Sequence, residues 1–349
     1  MKKYLKYRSK NGLISYIIEK RTINTILILL FVSLVLLIMT ISIGNTNISF
    51  IQVIKTLLGQ GSKKENVLIN ILRLPRGLAA LFAGMALAAA GAILQGIIRN
   101  PLASPSILGI TGGASFSSVL FITFLSSMLS IKWLPLFSIL GAGLVTFIIY
   151  ILAWDKGVRP IRLVLIGIGI SATMSALVNL MIIVSPIYLA NQAYIWLTGS
   201  VYGTNWNIIY SVIPIIILFL ILALTYSREV EVQEFGDEIA AGVGSGVQKN
   251  RFILLSISVG LAGAGVSLAG ALGFVGLIAP HIARKLVNRS FDGILVISAL
   301  SGGIIVLVAD LIARTAFTPL DIPAGVFTSG IGAPFFIYLL YRNSIKAKG

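Results

Sequence analysis

Cysteine is absent from the 349 residues, and histidine occurs once, at His281. Without thiols there are no disulfides, thiolate metal centres or iron–sulfur clusters. One imidazole excludes a multi-histidine metal site. No Gly-Lys pair occurs anywhere, so the phosphate-binding loop G-x-x-x-x-G-K-[ST] is missing and the chain has no ATP site of that type. Charge is scarce as well. Asp, Glu, Lys and Arg together make up 11% of the chain, against about 25% in a soluble domain. The 11 acids form no acid–base or nucleophile cluster that would suggest an enzyme.

Hydrophobic residues fill this space, at 57% of the chain. Apolar runs lie near 25–43, 77–98, 107–128, 133–153, 161–184, 208–226, 252–273, 274–287, 294–313 and 325–341. Runs of roughly 20 apolar residues read as membrane spans. The run 274–287 is short and contains Pro280 and His281; merging it with its neighbour gives nine spans. Ten spans with both termini cytoplasmic put most of the 27 Lys and Arg residues on the cytoplasmic side, whereas nine spread them almost evenly. The positive-inside bias therefore selects ten. The expected fold is an all-α polytopic membrane protein. A basic cytoplasmic tail covers 1–24, and a single transmembrane domain covers 25–349, with a long cytoplasmic loop at 227–251. The net charge of +16 is thus a topology signal and not a nucleic-acid footprint.

Two segments are expected outside the bilayer without crossing it. Residues 48–58 have the spacing of an amphipathic surface helix. Residues 188–206 hold Tyr188, Tyr194, Trp196, Tyr202 and Trp206, suited to the membrane boundary. The 35 glycines, many within spans, predict closely packed helices. His281 reads as a packed or interface histidine.

A few residues depart from this background. In loop 227–251, the stretch Asp-Glu-Ile-Ala-Ala-Gly-Val-Gly (237–244) reads as a short helix with acids in its first turn, where the helix dipole favours them. Ala240, Ala241, Gly242 and Gly244 give it a flat surface that fits another protein's groove, or a plain solvated linker. Arg73 and Arg76 stand at the start of the second span, against the charge bias, with Pro75 at a helix start. They suit an acidic partner, an anionic ligand or lipid headgroups. Asp310 and Arg314, four apart, share a helix face and read as a structural ion pair. Asp310 is also the one acid within a confident span. Asn100-Pro101-Leu102-Ala103-Ser104-Pro105 forms a stiff connection after the second span, either an ordinary turn or one side of a gate.

These residues fall in stretches that resemble the permease subunits of ATP-binding-cassette importers for ferric siderophores, haem and cobalamin. The motifs occur in order: ILRLPRGLAALFAGMALAAAGAILQGIIRNPLASPSILGI (71–110), IWLTGS (195–200), DEIAAGVG (237–244), GALGFVGLIAPHIARKLV (270–287), ADLIAR (309–314) and IPAGVFTSGIGAPFF (322–336). The resemblance implies ten spans, a paired second permease subunit (homo- or heterodimer), two ABC ATPase subunits below and an extracytoplasmic substrate-binding protein above. It assigns ATPase coupling to Glu238, Ala240, Ala241, Gly242 and Gly244, binding-protein docking to Arg73, Arg76 and Arg314, and an inner gate to Asn100 and Pro101. It implies no catalytic residue, metal or cofactor in this chain, because a partner subunit binds the ATP. The expected activity is import of a ferric siderophore or related iron chelate across the cell membrane, with cobalamin or haem as alternative cargo. Three departures are visible: Val243 where many members have Leu, Pro319-Leu320-Asp321-Ile322-Pro323 where the family pattern has Glu, and Asn-Arg-Ser-Phe-Asp-Gly at 288–293. An ion-coupled secondary transporter is the rival class. It needs ionisable groups near the bilayer midplane, and only Asp310 comes close.

Overall fold

The computed structural model describes residues 4–8, 15–44, 46–155, 157–287, 290–318 and 320–346. Asn288, Arg289 and Pro319, which enter the sequence reading, lie outside them. The chain opens with two antiparallel strands, β1 (Tyr4–Arg8) and β2 (Ser15–Glu19), with Tyr4 opposite Glu19. This hairpin precedes an otherwise all-helical chain among the described residues. Both segments carry aromatic or β-branched residues, and the sequence between them contains Asn11-Gly12, a hairpin turn signal.

Helices make up the rest. α1 spans Lys20–Ser42. α2 (Phe50–Leu57) is the expected surface helix: the Ser49 side chain caps it, Val53 and Thr56 are buried, and Phe50 and Ile51 are exposed. α3 (Lys63–Asn66) starts with a Ser62/Glu65 capping box and continues through a wide π turn at Val67–Arg73 into α4 (Leu74–Ile98). Then come α5 (Ile110–Leu120), α6 (Leu134–Ala153), α7 (Pro160–Val184), α8 (Ile187–Leu197) and α9 (Trp206–Thr225). Two short helices follow, α10 (Ser227–Glu234) and α11 (Asp237–Gly242). The chain ends with α12 (Val247–Ala269), α13 (Val275–Leu286), α14 (Phe291–Thr315) and α15 (Ala324–Lys346). Prolines at the first turns of α4, α6 and α7 sit where the missing N–H has no helical partner to lose.

Among the described residues, seven helical stretches are long and apolar enough to cross a bilayer: Lys20–Ser42, Lys63–Ile98, Ile131–Ala153, Pro160–Val184, Trp206–Thr225, Val247–Ala269 and Phe291–Thr315. Ile110–Leu125 and Ala324–Tyr338 are shorter apolar helices. The doubtful eighth run forms its own helix, α13, of 12 residues. At 1.5 Å per residue it is about 18 Å long, short of a full crossing. It is cut off from α12 at Gly270, whose φ of +67° is left-handed, and at Phe274, with φ +63°.

α4, α12 and α14 form the centre. Their most apolar stretches are 78%, 83% and 72% buried, against 17% for α1 and for α7. Between helices in lipid there is little hydrophobic drive, so close packing and interhelical hydrogen bonds hold the bundle. α4 is built for this, with Ala79, Ala80, Ala83, Ala86 and Ala88–Ala90 all fully or almost fully buried. A Cβ on Gly91 would run into the Gly276 carbonyl of α13, and one on Gly84 into the Gly302 carbonyl of α14. Ser258 donates to the Ala90 carbonyl at 3.2 Å, and Ser138 to the Gly263 carbonyl at 2.9 Å. The IWLTGS and IPAGVF motifs meet where Gly325 N–H donates to the Gly199 carbonyl at 2.8 Å.

α4 enters the bundle at the end where α1 and α14 finish, and leaves where α14 and α12 begin. The first is the arginine end. The second, which carries α10, α11 and residues 99–109, is the loop end. About 37 Å of α4 lies between them.

Candidate functional site

At the arginine end the three arginines are drawn into the fold. Arg76 Nε and Nη2 donate to Asp310 at 3.0 and 2.7 Å. Its Nη1 and Nη2 donate to Asp321 at 2.5 and 2.8 Å. Tyr202 lies beneath the guanidinium, 5.7 Å from its ring centroid. One planar fork thus joins a buried aspartate on α14 to a partly exposed one on the following loop, and the fixed donor geometry of Arg suits this double role.

Asp310, 1% exposed, also faces Arg314, with Nε to Oδ2 at 3.8 Å. The pair expected from the i, i+4 spacing is present, but the shorter contacts to Asp310 come from Arg76, 234 positions away. Arg314 also donates to the Thr40 carbonyl. Arg73, expected to face a partner, is 7% exposed. It donates to the carbonyls of Ile41, Ser42 and Thr46 at 2.7, 3.1 and 2.6 Å. The last turn of a helix leaves carbonyls without partners, and Arg73 supplies them for α1. Arg76, Arg314 and Asp321 line a cleft of about 580 Å³ at this end.

The loop end is open by contrast. α11 buries only Ala240. Glu238, Ala241, Gly242 and Gly244 are exposed, and Ile239 and Val243 are 58% and 68% exposed. Nothing approaches within 4 Å of where a Cβ on Gly242 or Gly244 would lie. Gly244 closes the helix with φ +86°, a left-handed exit that glycine adopts without strain. Pro101 is exposed and Asn100 partly so, and the Asn100 side chain accepts from the Leu102 N–H at 2.9 Å, which fixes the turn.

One carboxylate links these parts. Asp237 Oδ1 accepts from Arg99 at 3.3 Å and from Arg251 at 2.7 Å. Arg251, fully buried, also donates to the Val158 carbonyl at 2.6 Å. The sequence marks Asp237 only as a first-turn acid, and Arg99 and Arg251 only as basic residues of the cytoplasmic side. No spacing signal joins residues so far apart. Nearby, Glu231 accepts from the Phe291 N–H at the start of α14. Glu234 lies 3.9 Å from Arg284. Partial burial pushes the Glu234 carboxyl above the usual carboxylate range; Arg284 pulls it down and Glu231 adds to the rise. His281 packs edge-on to Phe335, with ring centroids 5.7 Å apart.

An apolar, closely packed bundle with seven helices long enough to cross a bilayer among the described residues has the form of a polytopic membrane protein. The sequence model of the FecCD transport family matches residues 29–342, and the chain belongs to that family. It is 48% identical to the protein named "Probable siderophore transport system permease protein YfhA" of Bacillus subtilis (strain 168), over 93% of this chain and 96% of that one. It is 43% identical to the achromobactin transport system permease protein CbrC of Dickeya dadantii (strain 3937), over 96% of each. Among solved structures, one titled "An inward-facing conformation of a putative metal-chelate type ABC transporter" matches with a TM-score of 0.81 and 29% identity, covering 91% of this chain and 99% of that one.

Proposed function

We propose that this chain is the membrane-spanning permease of an ATP-binding-cassette importer that carries a ferric siderophore or related iron chelate into the cell. The observation that carries the reading is the family match over nearly the whole chain, in which both ends of the bundle fall. The relatives named for siderophore, achromobactin, hydroxamate and ferric citrate transport favour an iron chelate over cobalamin or haem.

In this reading ten helices pass through or into the cell membrane, with the loop end cytoplasmic. The positive-inside bias supports that orientation. α1 starts at this end and α15 runs towards it, which suits two cytoplasmic termini. The chain forms one permease domain from 25 to 349 behind a basic N-terminal segment, and pairs with a second permease subunit. α11 and the turn after it present Glu238, Ala241, Gly242 and Gly244 to an ATPase subunit, with Ala240 seating the helix against the bundle. The absence of side chains at Gly242 and Gly244 leaves a flat face that a groove can close over. ATP is bound and hydrolysed by that partner. Asn100 and Pro101 form the inner gate.

At the arginine end a substrate-binding protein docks through acidic side chains. Arg76 and Arg314 carry the charge they meet, and Arg73 holds the end of α1 in place beneath them. Docking at Arg76 is an exchange in which acids of the binding protein compete with Asp321, the more exposed of its two partners. Among the described residues, the chemistry left for the permease is positioning and conformational change: few polar groups line the interior, so a bulky chelate is passed on and not trapped.

Purification of this chain in detergent from its native membrane tests the reading. A stoichiometric ABC ATPase is the expected companion, and a second permease chain distinguishes a heterodimer from a homodimer. Recovery of the chain alone, from membranes that contain such ATPases, would contradict it.

A further inference from the structure

At the loop end a single carboxylate bridges two arginines from different parts of the bundle. Asp237 is the first residue of α11, the most exposed helix at this end, and its carboxylate faces two arginines on different parts of the bundle. Arg99 directly precedes Asn100-Pro101 and ends α4 in a left-handed conformation, φ +56°. Arg251, in the second turn of α12, is fully buried and reaches the Val158 carbonyl. Gln248, one turn earlier, accepts from the Val158 N–H at 3.0 Å. Val158 is two residues before Pro160, the start of α7. α12 therefore grips both backbone groups of Val158, and through them the entry to the long helix α7, which is mostly unburied.

The two bonds of Asp237 differ in kind. The bond to Arg251 involves a charge with no water around it, and such a charge is costly to leave unpaired. The bond to Arg99 joins two groups each more than a third exposed, 37% and 36%. Pairs of that sort add little to stability and break and re-form readily. A cleft of about 1020 Å³ separates the sides they connect: Arg99, Asn100 and Pro101 on one, Pro160 on another and α11 on the third.

We propose that Asp237 is the positioning residue that ties α11 to both walls of this cleft, so that displacement of α11 moves residues 99–101 through Arg99 and the start of α7 through Arg251 and Val158. The inference rests on the reading that α11 receives the ATPase, and it names the link by which a push on that helix reaches the gate segment. The tight bond keeps α11 registered on α12. The loose bond lets the gate segment follow or release.

The test uses the complete transporter in proteoliposomes. Arg99→Asn removes the charge while keeping a side chain that tolerates the left-handed conformation, and Arg99→Lys retains the charge. Two quantities are read for each: chelate taken up per ATP hydrolysed, and the labelling rate of a single cysteine introduced by Leu102→Cys into the cysteine-free chain, with and without ATP and vanadate. Vanadate trapping is expected to change the labelling rate in the parent chain. In Arg99→Asn both that change and the uptake per ATP fall at least about fivefold, the low end of a coupling free energy between sites. Arg99→Lys recovers most of both. Asp237→Asn gives the same loss if it folds, and Arg99→Asn, altering an exposed pair, carries the test if it does not. An unchanged ratio and labelling response in Arg99→Asn, or no response to trapping in the parent, overturns the proposal. Failure of any ATPase to assemble with the parent chain overturns the importer reading itself and is seen before any variant is made.

Discussion

At the arginine end of α4, Arg76, Arg314, Asp310 and Asp321 hold one another, and Arg73 completes the end of α1. At the loop end, α11 offers a small-residue face on which nothing rests. The arginine end is specified by charge in a place where charge is expensive, so each group needs partners. The exposed face of α11 is specified by shape, and its residues cost the fold almost nothing to change. The first should resist mutation least in stability. The second should tolerate substitution structurally and fail only when a partner must fit.

The sharpest way to break this contrast is Asp310→Ala. It leaves Arg76 with Asp321 alone and Arg314 without its carboxylate, and removing one member of a buried ionic group costs about 3–5 kcal/mol. The thermal midpoint in detergent should fall further than for any change on the exposed face of α11. An unshifted midpoint would mean that the arginine end is not held by charge.

The same small substitution placed twice gives the next test. Gly91→Ala drives a Cβ into the Gly276 backbone, where neither helix can yield locally, and should cost about 1–3 kcal/mol. Gly242→Ala meets open space and should stay within about 0.5 kcal/mol. Equal melting shifts for the two would erase the distinction between packed and open glycines.

Asp321→Asn should shift stability by no more than about 1 kcal/mol, because Asp321 is partly exposed. It leaves Arg76 one carboxylate short, so binding-protein affinity measured across a salt series should change while ATPase association stays as in the parent. Affinity and salt slope identical to the parent would remove Asp321 from the docking exchange.

The smallest effect concerns Glu234. Its carboxyl titrates above the usual carboxylate range in the folded chain, so the folded state takes up a proton at higher pH than the unfolded state does. That contribution to stability is lost as pH rises from the ordinary carboxylate range through the raised value. Glu234→Gln, which cannot ionise, should melt above the parent at neutral pH, with the gap closing as pH falls. A gap that widens in acid would reverse the assignment.

Much of this was legible in the sequence because it was periodic or local. The apolar runs located the helices, Pro75 marked a helix start, and Asp310 and Arg314 announced their shared face. The motif DEIAAGVG gave a short helix with a bare glycine surface, as found. What stayed hidden was long-range. Arg73 reads as an outward charge until α1 is seen to end beside it, and Asp321 reads as a variant of a loop pattern until Arg76 closes on it. Asp237 gives no sign that Arg99 and Arg251 will converge on it. The N-terminal hairpin was passed over because its basic residues were read as topology signals and its alternation was not.

The most direct measurement of the central claim is ATP-driven uptake of a 55Fe-labelled ferric siderophore into proteoliposomes holding the assembled transporter, with the parent chain and with Gly242→Trp compared side by side. The account predicts uptake that requires ATP in the parent. It predicts a Gly242→Trp chain that melts as the parent does but neither retains the ATPase nor takes up the chelate. A Gly242→Trp chain that binds the ATPase and imports the chelate as well as the parent would contradict it.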